Sequence, residues 1–149
     1  EELARGCASS SWCYSVWAAN AYMAGFWPLQ AQEELFADPL RALGVQHALQ
    51  IIIEAVLSVS HQMIAGLNLP RPERNIDAPL GLLKAGVLQD GELAARLPSM
   101  VRFRNLLVHR YWEVKLELVY EILHKHLRDV RQFVQEVSRY LASTEAETD

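Results

Sequence analysis

Cysteine is nearly absent from this chain: Cys7 and Cys13 are the only 2 among 149 residues. Two thiols are too few for a disulfide framework, and neither stands at metal-ligand spacing from a nearby histidine. The expected setting is therefore reducing and cytoplasmic, with a fold held by an apolar core. An excess of basic charge is also missing, since 14 Lys and Arg stand against 18 Asp and Glu, giving a net charge of −4 and a pI near 5.7. That balance excludes a general nucleic-acid coat, so any nucleic-acid contact must come from a local patch. Absent too are an alternating strand pattern, an internal repeat and a low-complexity segment. What remains is 51% hydrophobic and 21% charged, ordinary for a globular protein and too apolar for a disordered one. The length suits a single domain over residues 1–149, able to bury a core without metals or disulfides.

No charge falls between Arg5 and Glu33, and the run SWCYSVWAANAYMAGFWPL holds three of the 4 tryptophans. A membrane span is one reading of residues 6–32. Against it, the run contains Ser11, Ser15 and Asn20, lacks a basic cluster ahead of it, and sets Trp12, Val16, Ala19, Met23 and Phe26 on one helical face. A buried or interface helix is expected instead.

Asp38-Pro39 then reads as a helix start, with Asp38 as N-cap and Pro39 in the first helical position. The helix is expected to run to about Gly66, with apolar residues from Leu40 and Leu43 to Ile64 around most of its circumference. The remainder is a narrow polar stripe: His47, Gln50, Glu54, Ser58 and His61, at three- and four-residue steps. It is either a thin solvent-facing strip or one wall of a cleft.

LNLPRPERNIDAPLG reads as an ordered connector. Two short helices should follow, Pro79 to about Lys84 stopped by Gly86, and Asp90 to about Leu97 stopped by Pro98. Pro98 or Ser99 should open a further helix. From Val114 to about Ala142, apolar positions from Leu118 to Leu141 recur at helical spacing, with His124 and His126 on or beside the polar face. The tail STEAETD, residues 143–149, should fray. The expected fold class is all-α, an antiparallel up-and-down bundle of about four main helices.

The chemistry concentrates in VRFRNLLVHRYWEVK, residues 101–115, which carries Arg102, Arg104, Arg110 and Lys115 against the single acid Glu113. Arg104, Asn105, His109 and Tyr111 fall within eight residues of otherwise apolar helical sequence. Arg104 is a permanent cation matching phosphate geometry, His109 exchanges a proton near neutral pH, and Tyr111 offers a nucleophilic hydroxyl. An arginine and a histidine near a helix end are also common as mere capping groups. Five residues apart, Arg104 and His109 diverge by about 140° on an ideal helix. Either the helix ends or bends near His109, or the pair forms a site with groups from another helix or subunit. In a continued helix Arg104 and Tyr111 would share a face. A cation, a proton-transfer group and a hydroxyl without a carboxylate cluster suggest phosphate chemistry without a bound metal. RNA cleavage can run that way because the 2′-hydroxyl is an internal nucleophile. Glu54, on the polar stripe, could pair with Arg104.

RNLLVHRY, an Arg-x4-His-x-Tyr motif, strongly resembles that of the HepT toxins of the HEPN superfamily, encoded beside MNT-type minimal nucleotidyltransferase antitoxins. EELFADPLRALGVQHALQIIIEAVLSVSHQMIA and LLKAGVLQDGELAARLPSMVRFRNLLVHRYWEV extend the likeness, which runs from about Glu33 to Leu141. The resemblance implies a HEPN fold, a homodimer whose motif segments face each other, and a metal-independent endoribonuclease with no cofactor, acting on RNA as the toxin of a type VII toxin–antitoxin system. It further implies Arg104 and His109 as the catalytic pair and matches Asn105 to the family pattern; Glu54, Arg102 and Arg110 stand as supporting residues on charge and position. Tyr111 matches the tyrosine to which the antitoxin transfers AMP. The Trp-rich segment 1–32 looks unlike most relatives, and Ser58 stands where they often carry an acid. A competing function is a non-catalytic, nucleotide-binding or substrate-presenting subunit of a two-part nucleotidyltransferase.

Overall fold

Asp38 opens the first long helix as its spacing to Pro39 requires: the carboxylate accepts the Leu40 N–H at 3.0 Å and the Arg41 N–H at 3.4 Å. The computed structural model describes residue 33 and residues 37–146; the Trp-rich segment 1–32 lies outside the described residues. Helix α1, Pro39–Gly66, buries Val45, Leu49, Ile52, Ile53, Val56 and Val59. It is long and apolar enough to cross a membrane, but the share of it buried inside the protein marks a core helix. Leu40 and Leu43, expected within its apolar surface, are exposed. They sit in its first two turns, away from the face that buries Ala42 and Val45.

The connector turns through Asn68, whose φ of 53° is one that a short polar side chain tolerates. Helix α2, Ala78–Lys84, ends as expected at Gly86, where φ is +77° and glycine carries no Cβ penalty. Val87 and Leu88 then turn into the core.

Helix α3, Gly91–His109, corrects the expected boundary, because Pro98 lies inside one continuous helix instead of stopping one and opening another. A proline there forfeits one backbone hydrogen bond, a cost of about 3 kcal/mol. Leu93, Ala94 and Leu97 before it and Met100, Val101, Phe103 and Leu107 after it are all buried, and burial on both sides offsets that cost. The first half of α3 is therefore a pillar of the core, not the short separate helix expected from Asp90 to about Leu97.

The last helix begins at Leu116 instead of Val114. It runs as α4 (Leu116–Glu121), a π turn at Ile122–His126, and α5 (Leu127–Ala146). It also outlasts the expected Ala142, since Ser143 and Thr144 donate their hydroxyls to the Tyr140 carbonyl at 2.7 and 3.0 Å. Val119, Ile122, Leu123, Leu127, Val130, Phe133 and Val137 bury one face, while Leu118 stays exposed. His124 is exposed and stacks on Tyr120, and half-buried His126 lies 3.5 Å from Asp129.

Helix α1 packs on α2, α3 and α5, and α3 packs on α5, so one core runs through the described residues. Among them there is no strand, and the class is an all-α bundle as expected. Three long helices, counting α4–α5 as one, fall within the described residues.

A polar network locks the start of α3 to α5. Arg96 donates from Nε to both Asp129 oxygens at 3.2 Å and from Nη2 at 3.1 Å, and the Asp129 side chain is only 3% exposed. The hydrogen bond to Asp129 raises the Arg96 pKa, against the opposing effect of burial. Buried Glu136 accepts the Gln89 N–H at 2.7 Å and the Gln132 amide at 3.2 Å. Gln132 also donates to Asp90 at 2.7 Å, and this bond, with the Leu93 N–H, holds the Asp90 carboxyl below its ordinary range.

Candidate active site

The second half of α3 turns its polar side chains to the surface, except for Arg104. That side chain is 23% exposed and reaches across to α1, where Nη2 pairs with Glu54. Its Nη1 donates to Asn105 Oδ1 at 3.1 Å. Nε is buried and has no hydrogen-bond partner. An unpaired buried donor costs about 1–3 kcal/mol, and such sites in native proteins are often functional. Each Nη nitrogen carries two N–H groups, so one on each is left over for an anion. Glu54 is 54% exposed, which keeps the ion pair's stabilising worth near that of a surface pair, about 1 kcal/mol or less. The contact's effect is therefore mainly to aim the guanidinium.

His109 is the last residue of α3 and is exposed. Arg110 follows with φ −143° and ψ 42°, outside helical geometry, and its N–H closes the helix on Leu106 O at 2.9 Å. Of the two ways to reconcile the Arg104–His109 spacing, the helix end is present. Tyr111 consequently does not continue on the Arg104 face; it opens a 3-10 turn, Tyr111–Glu113. The Arg110 guanidinium clasps Glu113 Oε1, at 3.0 Å from Nε and 2.8 Å from Nη2. Tyr111 and Trp112 are 59% and 68% exposed.

Glu54, Arg104 and Asn105 are thus brought into contact, with His109, Arg110 and Tyr111 following at the same helix end. Arg102 is not brought to them. Two residues from Arg104 it points about 200° around the helix, where it lines a groove with Phe103, Leu106, Leu118, Ile122 and His126. In the α1 stripe, His47 and Glu54 are exposed while Gln50, Ser58 and His61 are half-buried, and Ser58 accepts from Gln62 at 3.2 Å. Glu54 is the member of that stripe that reaches the motif, through its ion pair with Arg104. Spacing does not single out Trp112 or Glu113; the signal for the latter is its place three residues after Arg110. Among the described residues no three His, Cys, Asp or Glu side chains gather as metal ligands.

The family model for HepT-like proteins, described as Ribonuclease HepT-like, matches residues 23–137. An mRNA nuclease HepT of Shewanella oneidensis is 31% identical over 86 residues, 58% of this chain and 64% of that protein. A tRNA nuclease HepT of Aphanizomenon flos-aquae is 26% identical over 104 residues, 70% of each. The chain thus aligns with just under two thirds of the first relative's length. Among solved structures, the tri-AMPylated Shewanella oneidensis HEPN toxin in complex with MNT antitoxin superposes with a TM-score of 0.73 at 21% identity, over 85% of this chain and 92% of that one. YutE of Bacillus subtilis, a cytosolic protein of unknown function, gives 0.78 at 18% identity, over 88% of each chain. Both likenesses concern the fold.

Proposed function

We propose, from the premise that this chain belongs to the Ribonuclease HepT-like family, that it is the endoribonuclease toxin of a toxin–antitoxin pair, cutting RNA without a metal in the cytoplasm. The observation that carries this reading is Arg104, partly buried, aimed by Glu54 and Asn105, and keeping spare donors on the helix that ends at His109. Family relatives named as mRNA and tRNA nucleases support the substrate class.

In the proposed reaction Arg104 binds the scissile phosphate through its free N–H groups and stabilises the charge that grows on the non-bridging oxygens. His109 takes the proton from the 2′-hydroxyl, whose oxygen attacks phosphorus. The 5′-oxygen leaves and receives a proton, and the product ends are a 2′,3′-cyclic phosphate and a 5′-hydroxyl. In a homodimer with facing motifs, two copies of His109 can divide the roles of base and acid. Asn105 holds the Arg104 guanidinium, while Arg110 and the more distant Arg102 attract the RNA backbone.

The proposed control lies at Tyr111. A partner MNT nucleotidyltransferase joins the tyrosine oxygen to the α-phosphate of ATP and releases pyrophosphate, a reading favoured by the tri-AMPylated HEPN toxin seen with its antitoxin. The exposure of Tyr111 makes the hydroxyl reachable. An added AMP puts bulk and negative charge beside Arg110 and the cleavage site, blocking substrate phosphate.

Purified protein should cut RNA in EDTA, and Arg104→Ala should lose cutting while keeping its helical circular dichroism. Nucleotide binding with no RNA turnover by the parent would instead favour a non-catalytic partner subunit. After co-expression with the nucleotidyltransferase, the intact mass should rise in AMP steps, absent in Tyr111→Phe; undiminished steps in that variant would place the modification elsewhere.

A further inference from the structure

We propose that Trp112 is a stacking platform for an unpaired base of the RNA strand, setting affinity for single-stranded substrate beside the cleavage site; this rests on the RNA-cleaving reading above. The indole is 68% exposed, although a tryptophan left in water forgoes a large apolar burial. Trp112 sits in the 3-10 turn directly after the helix that ends at His109, and the turn is fixed by three contacts. The Glu113 N–H meets Arg110 O at 2.9 Å, the Val114 N–H meets Tyr111 O at 3.3 Å, and the Arg110 side chain clasps Glu113. The ring is therefore presented from a braced turn.

The contact with Tyr111 is edge-to-face, with centroids 5.4 Å apart and planes at 81°. In that arrangement the ring that offers its edge keeps both faces clear of the other, and the second ring keeps one. A parallel stack would have hidden a face of each. In the sequence the pair is flanked by His109, Arg110 and Lys115, with Arg110 paired to the acid Glu113. Exposed aromatic faces interleaved with cations fit single-stranded nucleic acid, where bases stack and phosphates seek positive charge. A protein-docking patch would be expected to have a wider apolar surround, and in this stretch only Val108 adds an exposed large aliphatic side chain.

The test uses full-length His109→Ala protein, which should hold RNA without cutting it, and fluorescence anisotropy with a labelled single-stranded oligoribonucleotide. Adding Trp112→Ala should weaken binding about tenfold, the order expected for one stacked base. Trp112→Phe should recover most of that loss. The slope of log Kd against log salt should stay unchanged, since no phosphate contact is removed. Affinity within twofold for Trp112→Ala overturns the proposal, as does a smaller species in size-exclusion chromatography, which would assign the indole to a subunit contact. Wild-type cleavage is measured alongside. An inactive wild type whose His109→Ala form still binds RNA through Trp112 sinks the nuclease reading and leaves the platform standing; active enzyme with Trp112-independent affinity does the reverse.

Discussion

Two of the three arginines on helix α3, Arg96 and Arg104, lie eight residues apart, and their surroundings differ in kind. Arg96 is tied into the fold: its Nε and Nη2 make three contacts to a nearly buried Asp129, Nη1 lies a longer 3.6 Å from Glu92, and a neighbouring network through Asp90, Gln132 and Glu136 ties helix to helix. Arg104 is only aimed. It has one carboxylate, one amide oxygen, a buried Nε without partner and donors to spare. A guanidinium whose Nε is spent on a nearly buried carboxylate of another helix holds a fold together, whereas one whose buried Nε is unpaired and whose carboxylate partner is half exposed is open to a ligand. On the proposed reading the same residue type on the same helix serves architecture at one end and chemistry at the other.

Substitutions can break that comparison. The largest effect belongs to His109→Ala, expected to lower kcat for RNA cleavage by about 10²–10⁴-fold, the range of a lost general acid–base. Arg104→Ala should follow at about 10²–10³-fold, as when one donor to a developing charge is removed, with thermal stability hardly moved. Asp129→Ala should act on the other side of the contrast, costing about 2–3 kcal/mol in urea unfolding. That is below the full cost of breaking a buried pair, because Arg96 is 39% exposed and can turn to water. Its cleavage per folded molecule should match wild type.

The smallest effect concerns Asp90, whose pKa lies below the ordinary 3.8 when folded. Its contribution is fully present above that ordinary value and is lost as pH falls through the lower, folded one. The stability difference between wild type and Asp90→Ala should therefore be equal at pH 7 and pH 5 and shrink below about pH 4. A difference that grows on acidification would contradict the hydrogen bonds assigned to that carboxylate.

Local signals are legible in the chain and long-range ones are not. Asp38-Pro39, Asp90 and Gly86 act through neighbours within a few residues, so their capping and turn roles can be read directly. Pro98 misleads because its local cost is outweighed by Leu93, Leu97, Met100 and Phe103, whose burial depends on α1 and α5. The π turn at Ile122–His126 leaves no mark in three- and four-residue spacing. Asp129 and Glu136 resemble ordinary polar-face residues until their partners, 33 and 47 positions away, are seen. In the site, the polar stripe admits the Glu54–Arg104 pair as one of two readings, a solvent-facing strip being the other, and only the folded chain shows the contact. Charge alone groups Arg102 with Arg104, yet helical geometry sends it to another groove. A helical reading of the motif conceals Trp112, because it hides the turn that presents the ring.

The most direct test of the division within α3 is to measure RNA cleavage and unfolding free energy together in His109→Ala and Asp129→Ala. The account predicts a crossed result: cleavage lost with stability kept in the first, stability lowered with kcat kept in the second. Cleavage that survives in His109→Ala, or is lost from folded Asp129→Ala, would contradict it.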